Sequence, residues 1–193
     1  MRILDSNEYI NEKLAIQPVT KDMLSKFREE PSVDENTRRF IKENNLVWNP
    51  KTMRYDCEGD VIVSEDIVTD GKLKIRFGKV GGYFVCNNNN LTTLEGAPQE
   101  IGGNFNCAHN NLTTLEGAPQ EIGKDFICFH NQLTTLEGAP KEVGGNFYCG
   151  NNKLTTLDGA PNTVGGDFLC SDNPNLVLSE EKPSWVNGVL ITK

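Results

Sequence analysis

The feature that most constrains this chain is a unit of 21 residues that recurs almost letter for letter. Residues 105–125 read FNCAHNNLTTLEGAPQEIGKD, and residues 126–146 read FICFHNQLTTLEGAPKEVGGN. The same spacing separates Phe84, Phe105, Phe126, Phe147 and Phe168, then Cys86, Cys107, Cys128, Cys149 and Cys170, and then Asn89, Asn110, Asn131, Asn152 and Asn173. A fixed period of this length predicts a solenoid, because one unit cannot bury its apolar side unless its neighbours stack on it.

Each unit contains the motif Phe-x-Cys-x-x-Asn-x-Leu-x-x-Leu, which is the leucine-rich-repeat pattern with Phe and Cys in two aliphatic positions. Phe-x-Cys has the period of two of a short strand, so both side chains should point into the coil. The Asn should turn the chain off the strand and bond backbone groups of its own and the next coil. Gly-Ala-Pro predicts a turn, and the Gly-Gly or Gly-Lys pair permits a tight return to the next strand.

The flanking sequence predicts an α+β chain in which a leucine-rich-repeat β-solenoid of 21-residue units lies between two caps. Residues 1–45 are interpreted as a small helical N-terminal module and residues 46–79 as a β-hairpin cap with a degenerate first coil. Residues 80–175 form the leucine-rich-repeat array, and residues 176–193 form the C-terminal cap. Val61 and Val63 should occupy the Phe and Cys positions of the degenerate coil. Residues 64–76 depart from the pattern, so their register is left open.

Three helices are predicted in the N-terminal module. The first should run through Leu14 after a cap at Asp5 or Ser6, and the second should span 21–27 after Thr20. The third should begin at the capping-box pattern of residues 32–35 and end near Asn44. The module could cover an open end of the solenoid or form a separate docking piece.

Charge and cysteine usage narrow the function classes. The net charge of −8 and the pI of about 4.8 argue against binding to nucleic acid or to an anionic membrane. No signal peptide or membrane-spanning run is predicted, since no stretch reaches about 20 apolar residues. The five repeated cysteines occupy inward strand positions and should be reduced core residues, as in a cytoplasmic protein. A soft-metal or redox ladder is the alternative.

The outward residues of each strand vary while the frame does not. We call them the strand face: Tyr83, Val85, Asn87, Asn88, Asn104, Asn106, Ala108, His109, Asp125, Ile127, Phe129, His130, Asn146, Tyr148, Gly150, Asn151, Asp167, Leu169, Ser171 and Asp172. Apolar residues with acids along the rim are typical of a protein-binding patch. The alternative is that isolated exposed apolar residues need no explanation. The predicted partner-binding residues are Tyr83, Val85, Asn106, His109, Ile127, Phe129, His130, Tyr148 and Leu169.

The only two histidines occupy the same position in adjacent units, so their rings should lie about 5 Å apart. A metal site would need further ligands, and the flanking Asn88 and Asn151 are poor ones. We therefore predict no metal and interpret His109 and His130 as stacked surface residues that contact a partner or respond to mild acid. An enzyme that uses this pair with a metal is the weakest hypothesis.

No enzyme signature is present in the sequence. The Gly-Gly pairs belong to the repeat, so they do not form a phosphate-binding loop, and no nucleophile is paired with a nonrepeating base. Catalysis requires a unique constellation of groups, which identical units do not supply. The sequence therefore predicts a noncatalytic protein without a cofactor.

The repeats are variants of the motif Asn-x-Leu-Thr-Thr-Leu-Glu-Gly-Ala-Pro-x-Glu-Val-Gly-Gly-x-Phe-x-Cys. This motif resembles the repeats of the short leucine-rich-repeat proteins encoded by tailed bacteriophages and prophages. The resemblance covers roughly residues 60–185, and residues 11–21 are similar to leaders of other phage proteins. It implies a phage product that acts inside a bacterial cell and implies no particular activity. The leading hypothesis is capture of a host or viral protein on the strand face, with inhibition of a host defence enzyme as one outcome. The alternative is a structural virion or assembly component that docks through residues 1–45.

Overall fold

The computed structural model describes residues 29–178 and 183–192, so the predicted helices through Leu14 and over 21–27 lie outside the described part. The described residues form one α-helix, a 3-10 turn at Glu65–Ile67 and short strands. The helix is α1 (Glu35–Glu43), and the strands are β1 (Val47–Asn49), β2 (Arg54–Cys57), β3 (Val61–Ile62), β4 (Val68–Thr69), β5 (Lys72–Leu73), β6 (Phe77–Val80), β7 (Phe84–Val85), β8 (Glu100–Ile101), β9 (Phe105–Asn106), β10 (Glu121–Ile122), β11 (Phe126–Ile127), β12 (Glu142–Val143), β13 (Phe147–Tyr148), β14 (Thr163–Val164), β15 (Phe168–Leu169) and β16 (Leu190–Ile191).

The strands form a β-solenoid with two seven-stranded sheets, which confirms the predicted fold class. The Phe sheet contains, in spatial order, β16, β15, β13, β11, β9, β7 and β3, and the Glu sheet contains β1, β2, β6, β8, β10, β12 and β14. Both are parallel throughout, apart from the β1–β2 hairpin, and β4 and β5 form a separate antiparallel pair. Equivalent residues are in register, as Phe126 pairs with Phe105 and Phe147. The second strand of each coil was not predicted from the sequence.

A stack of phenylalanine rings runs through the core. Consecutive rings from Phe84 to Phe168 have centroids 5.1–5.6 Å apart and interplanar angles of 5–26°. Phe77 closes one end of the stack edge-on, and Trp185 closes the other. All five rings are buried, as are the repeat leucines beside them except the half-buried Leu157, so the stack supplies much of the apolar area that holds neighbouring coils together.

A ladder of asparagines, each three residues after the strand cysteine, links the coils. Asn131 donates from Nδ2 to the carbonyl oxygens of Cys107 and Cys128, both at 3.1 Å. Its Oδ1 accepts the Leu112 N–H at 3.0 Å. The predicted bonds to backbone are present, but the neighbour is the preceding coil and not the next one, because the backbone groups of Cys107 and Leu112 face Asn131. The equivalent residues Asn110, Asn152 and Asn173 are also buried.

The start of α1 differs from the prediction by two residues, because its N-cap is Asp34 and not Ser32. Asp34 accepts the Thr37 backbone N–H at 2.9 Å through Oδ1 and the Thr37 hydroxyl at 3.0 Å through Oδ2. These bonds to Thr37, together with Lys74, lower the pKa of Asp34 from 3.8 to about 2. The helix ends at Glu43, next to the predicted Asn44, and Phe40 packs edge-on against Phe77.

The predicted hairpin is present, and the degenerate coil has the predicted register at Val61. Trp48 pairs with Tyr55 across β1 and β2, and Val61 pairs with Phe84 across β3 and β7. Residues 64–76 fold into the 3-10 turn and the β4–β5 hairpin. The compact unit that contains the coils begins at Ser32, so α1 belongs to it. No helix in residues 29–178 and 183–192 is long and apolar enough to cross a membrane.

Candidate functional site

The outward residues of the Phe sheet form one continuous row. Direct strand pairing aligns Ile62, Val85, Asn106, Ile127, Tyr148, Leu169 and Ile191, which we call the outer row. Neighbouring strands lie about 4.8 Å apart, so these side chains are in contact range along the sheet. The structure thus brings five predicted partner-binding residues together. Ile62 and Ile191 were missed, because they belong to the irregular end units.

Tyr148 is the largest residue of the outer row and is half-buried. Its hydroxyl accepts a hydrogen bond from Asn146 Nδ2 at 2.9 Å, which fixes the ring on the sheet. Tyr83 was also predicted to bind a partner, but it precedes Phe84 and therefore lies outside the outer row, with 39% of its surface exposed. A held aromatic ring loses little side-chain freedom on binding, which favours Tyr148 as an anchor.

The second residue after each Cys has a left-handed backbone. Asn88, His109, His130, Asn151 and Asp172 have φ values of 52–57°. Among residues with a side chain, Asn, Asp and His are enriched in this conformation, and these five positions use only those types. The backbone therefore explains why the position is polar, a signal that could have been read from the residue types alone. It does not explain why two adjacent coils have His where the others have Asn or Asp.

The two histidines and Phe129 form an aromatic cluster beside the outer row. The imidazole centroids of His109 and His130 are 4.4 Å apart at an interplanar angle of 19°. Phe129 meets them edge-on, with its centroid 5.1 Å from His109 and 5.3 Å from His130. Both histidines are exposed. In the described part of the chain, no group of three or more His, Cys, Asp or Glu residues is placed to hold a metal ion.

Two residues predicted to face outward are buried. Ala108 has an exposed fraction of 1%, and Gly150 is buried as well. Both lie directly after the strand cysteine, where the chain packs against the following coil. A Cβ atom at Gly150 would lie 3.0 Å from the carbonyl oxygen of Ser171. Ala108 and Gly150 are therefore covered at this position, whereas the larger Phe129 is half-buried and reaches the surface.

An Asn or Asp directly before the inward strand residue, in every coil except that of Tyr83, forms a second polar ladder, which we call the corner row. The side-chain Oδ1 atoms of Asp60, Asn104, Asp125, Asn146 and Asp167 each accept the backbone N–H of the equivalent residue in the next coil, at 2.7–3.2 Å. From the sequence, Asp125 and Asp167 were predicted only to place charge along the rim of the strand face. In the structure they also hydrogen-bond to the next coil.

The other flank of the corner row carries more acid. Glu100, Glu121 and Glu142 are the exposed residues of consecutive Glu-sheet strands, and Glu121 lies directly opposite Glu142. The Lys79 ammonium is 3.9 Å from the Glu100 carboxylate, at one end of this stripe. Like charges at strand spacing repel, so the fold gains nothing from these three carboxylates together.

The six cysteines are free and buried. Removal from water raises the pKa of the Cys86 thiol to about 12 and that of Cys170 to about 11. The thiols of Cys107, Cys128 and Cys149 also have pKa values raised well above 9.0 by burial. The thiolate is the nucleophile and the metal ligand, so a ladder of protonated thiols acts as core.

We expect negligible reaction of the five ladder cysteines with a thiol reagent in the native protein at pH 8, because both burial and the raised pKa oppose thiolate formation. All six should react once denaturant is added. Peptide mapping after timed labelling would measure this, and Cys170 should be labelled before the other ladder cysteines because its pKa is raised least. Rapid native labelling of Cys107 or Cys128 would contradict the assignment to the core.

No protein-family model, curated protein or solved structure matches this chain. The candidate site consists of the outer row, the aromatic cluster and the corner row, which all lie along the strands of the Phe sheet.

Proposed function

We propose that this chain is a noncatalytic protein-binding solenoid that captures one protein on its strand face. The observation that carries the proposal is the contiguous group of Ile127, Tyr148 and Leu169 beside Phe129. Large apolar and aromatic side chains on a rigid support contribute most of the affinity in protein interfaces. The parallel ladders fix the positions of these side chains before a partner arrives, which lowers the entropic cost of binding.

We further propose that the chain is a phage-encoded leucine-rich-repeat protein that acts in the cytoplasm of a bacterial host. The resemblance of its repeat wording supports this origin. A host defence enzyme is the proposed target, which capture on the strand face would inhibit by occlusion. No nucleic acid, membrane or cofactor takes part in this proposal.

A structural role in a virion or its assembly is the second candidate, with docking through residues 1–45. The division of the chain between Pro31 and Ser32 supports it, since a separate unit can carry a separate contact. The coils would then act as a spacer, and changes on the strand face would leave association intact.

Affinity capture from bacterial lysate separates these two candidates. The intact chain is compared with the double variant Tyr148→Asp and Phe129→Asp, because a buried charge in the contact should cost about 2 kcal/mol or more per hot-spot residue. Val177→Asp is the control, since Val177 is apolar and 81% exposed but lies away from the strand face. We expect the double variant to lose the captured protein and to keep its melting temperature within about 4 °C.

A further chain that lacks residues 1–31 completes the comparison. The deletion stops there because Phe40 is buried against the core and its removal would open the first coil. Capture that survives this deletion and fails in the face variant supports binding by the strand face. Capture that fails on deletion and survives in the face variant supports the structural role.

A further inference from the structure

The corner row carries charge that the fold does not require. Its structural task is to accept the N–H of the next coil through Oδ1, and Asn104 and Asn146 do so at 3.2 and 2.7 Å. Asp125 and Asp167 perform the same task at 2.8 Å each. Since a neutral amide suffices at this position, the two carboxylates add a negative charge without a structural need.

The free oxygen atoms of these carboxylates are held beside the outer row. Asp125 is two residues from Ile127, and Asp167 is two residues from Leu169. Within residues 29–178 and 183–192, Oδ2 of either Asp accepts no hydrogen bond, while Oδ1 is fixed by the next coil. The two residues are two coil spacings apart, so the carboxylates lie about 10 Å apart along the sheet. Each is half-buried, which limits the solvent screening of its charge.

The strand face contains more negative than positive charge. None of its twenty residues, four from each of five units, is Lys or Arg, whereas Asp125, Asp167 and Asp172 are acidic. The exposed Lys124 directly precedes Asp125 in the chain, and Asp167 has no such neighbour. The carboxylates of Glu121 and Glu142 extend the negative charge beyond the corner row. A partner with acidic groups at its contact would be repelled, because like charges brought together at an interface oppose binding.

We propose that the strand face binds a protein segment in which aromatic or aliphatic residues are flanked by Lys or Arg. The apolar residues of the segment lie on Ile127, Tyr148 and Leu169, and its cationic groups pair with the free oxygens of Asp125 and Asp167. This inference rests on the proposed function, because it specifies the chemistry of the partner at the same face.

The probe is a random-sequence peptide library selected on the intact immobilised protein, with counter-selection on the Tyr148→Asp and Phe129→Asp double variant. Peptides that survive counter-selection are then measured against two charge variants. Asp125→Asn with Asp167→Asn removes both charges and keeps both Oδ1 acceptors. Asn104→Asp adds a charge in the same row and leaves unchanged Asn146, which holds the Tyr148 hydroxyl.

We expect the surviving peptides to be enriched in Lys and Arg beside apolar residues. Their affinity should fall about tenfold in the Asp-to-Asn variant and rise in the Asn-to-Asp variant. Raising the salt concentration from about 0.1 M to about 1 M shortens the screening length from about 10 Å to about 3 Å, so the difference between these proteins should shrink.

Face-dependent peptides without Lys or Arg enrichment, or with equal affinity for the Asp-to-Asn variant, would overturn the inference and leave the proposed function standing. A selection that yields no face-dependent peptide would overturn it as well. The lysate capture with the same face variant decides separately whether the proposed function fails.

Discussion

Replacing Asn110 with alanine is expected to lower the free energy of unfolding by about 3–5 kcal/mol, because the buried Cys86 carbonyl and the Leu91 N–H then lose their hydrogen-bond partner. Asn110 Nδ2 donates to the carbonyl oxygens of Cys86 and Cys107 at 3.0 Å each. Its Oδ1 accepts the Leu91 N–H at 2.9 Å. Each unpaired buried group costs about 1–3 kcal/mol, and alanine replaces none of these bonds. Urea unfolding followed by circular dichroism would measure the loss.

Asn111→Ala is the matched control, since it removes the same residue type one position further along the chain. The side chain of Asn111 is exposed, and Asn111 uses its backbone N–H to reach Leu91. We expect its stability to change by less than about 0.5 kcal/mol. An equal loss in the two variants would show that the asparagine ladder does not hold the coils together.

Replacing Gly138 with alanine is expected to cost about 3 kcal/mol or more. Gly138 has φ of 85°, and a left-handed backbone costs an alanine about 1–2 kcal/mol by itself. A Cβ atom there would also collide with the backbone of Leu115 and Glu116 in the preceding coil, which cannot move without shifting that coil. Thermal unfolding should therefore show a melting temperature lower by about 6 °C or more.

Gly59→Ala is the control for this substitution. A Cβ atom at Gly59 would meet no atom within 4 Å. Alanine there should leave the melting temperature unchanged or raise it slightly, because it reduces the freedom of the unfolded chain. Equal melting temperatures for the two variants would contradict the close approach of coils at the Gly-Ala-Pro turn.

The coil architecture could be predicted because its determinants are local and repeated. Phe126 and Cys128 are two residues apart and point inward, and the 21-residue period sets their neighbours. The Glu sheet was missed because its strands in the repeats, such as Glu121–Ile122, contain one inward apolar residue without a second one two positions away, so no alternation can be recognised. The order of the strands in this second sheet follows from the stacking of the coils. The one sign of that stacking in the sequence is the 21-residue period.

The candidate site was predictable in part. Counting from the motif placed Val85, Ile127 and Tyr148 in one row, and the structure confirms that row. The corner row was missed because an Asn or Asp before four of the five repeated Phe residues does not reveal whether its oxygen meets water or the next coil. Burial of Ala108 was missed for a similar reason, since the distance between coils at that position depends on packing.

The most direct test of strand-face recognition is the dissociation constant of the purified captured protein for the intact chain and for Tyr148→Asp, measured by titration calorimetry. A hot-spot contribution of about 2 kcal/mol or more predicts an affinity at least about 30-fold weaker for the variant. The Val177→Asp control should bind as tightly as the intact chain. A dissociation constant for Tyr148→Asp equal to that of the intact chain would contradict recognition by the strand face.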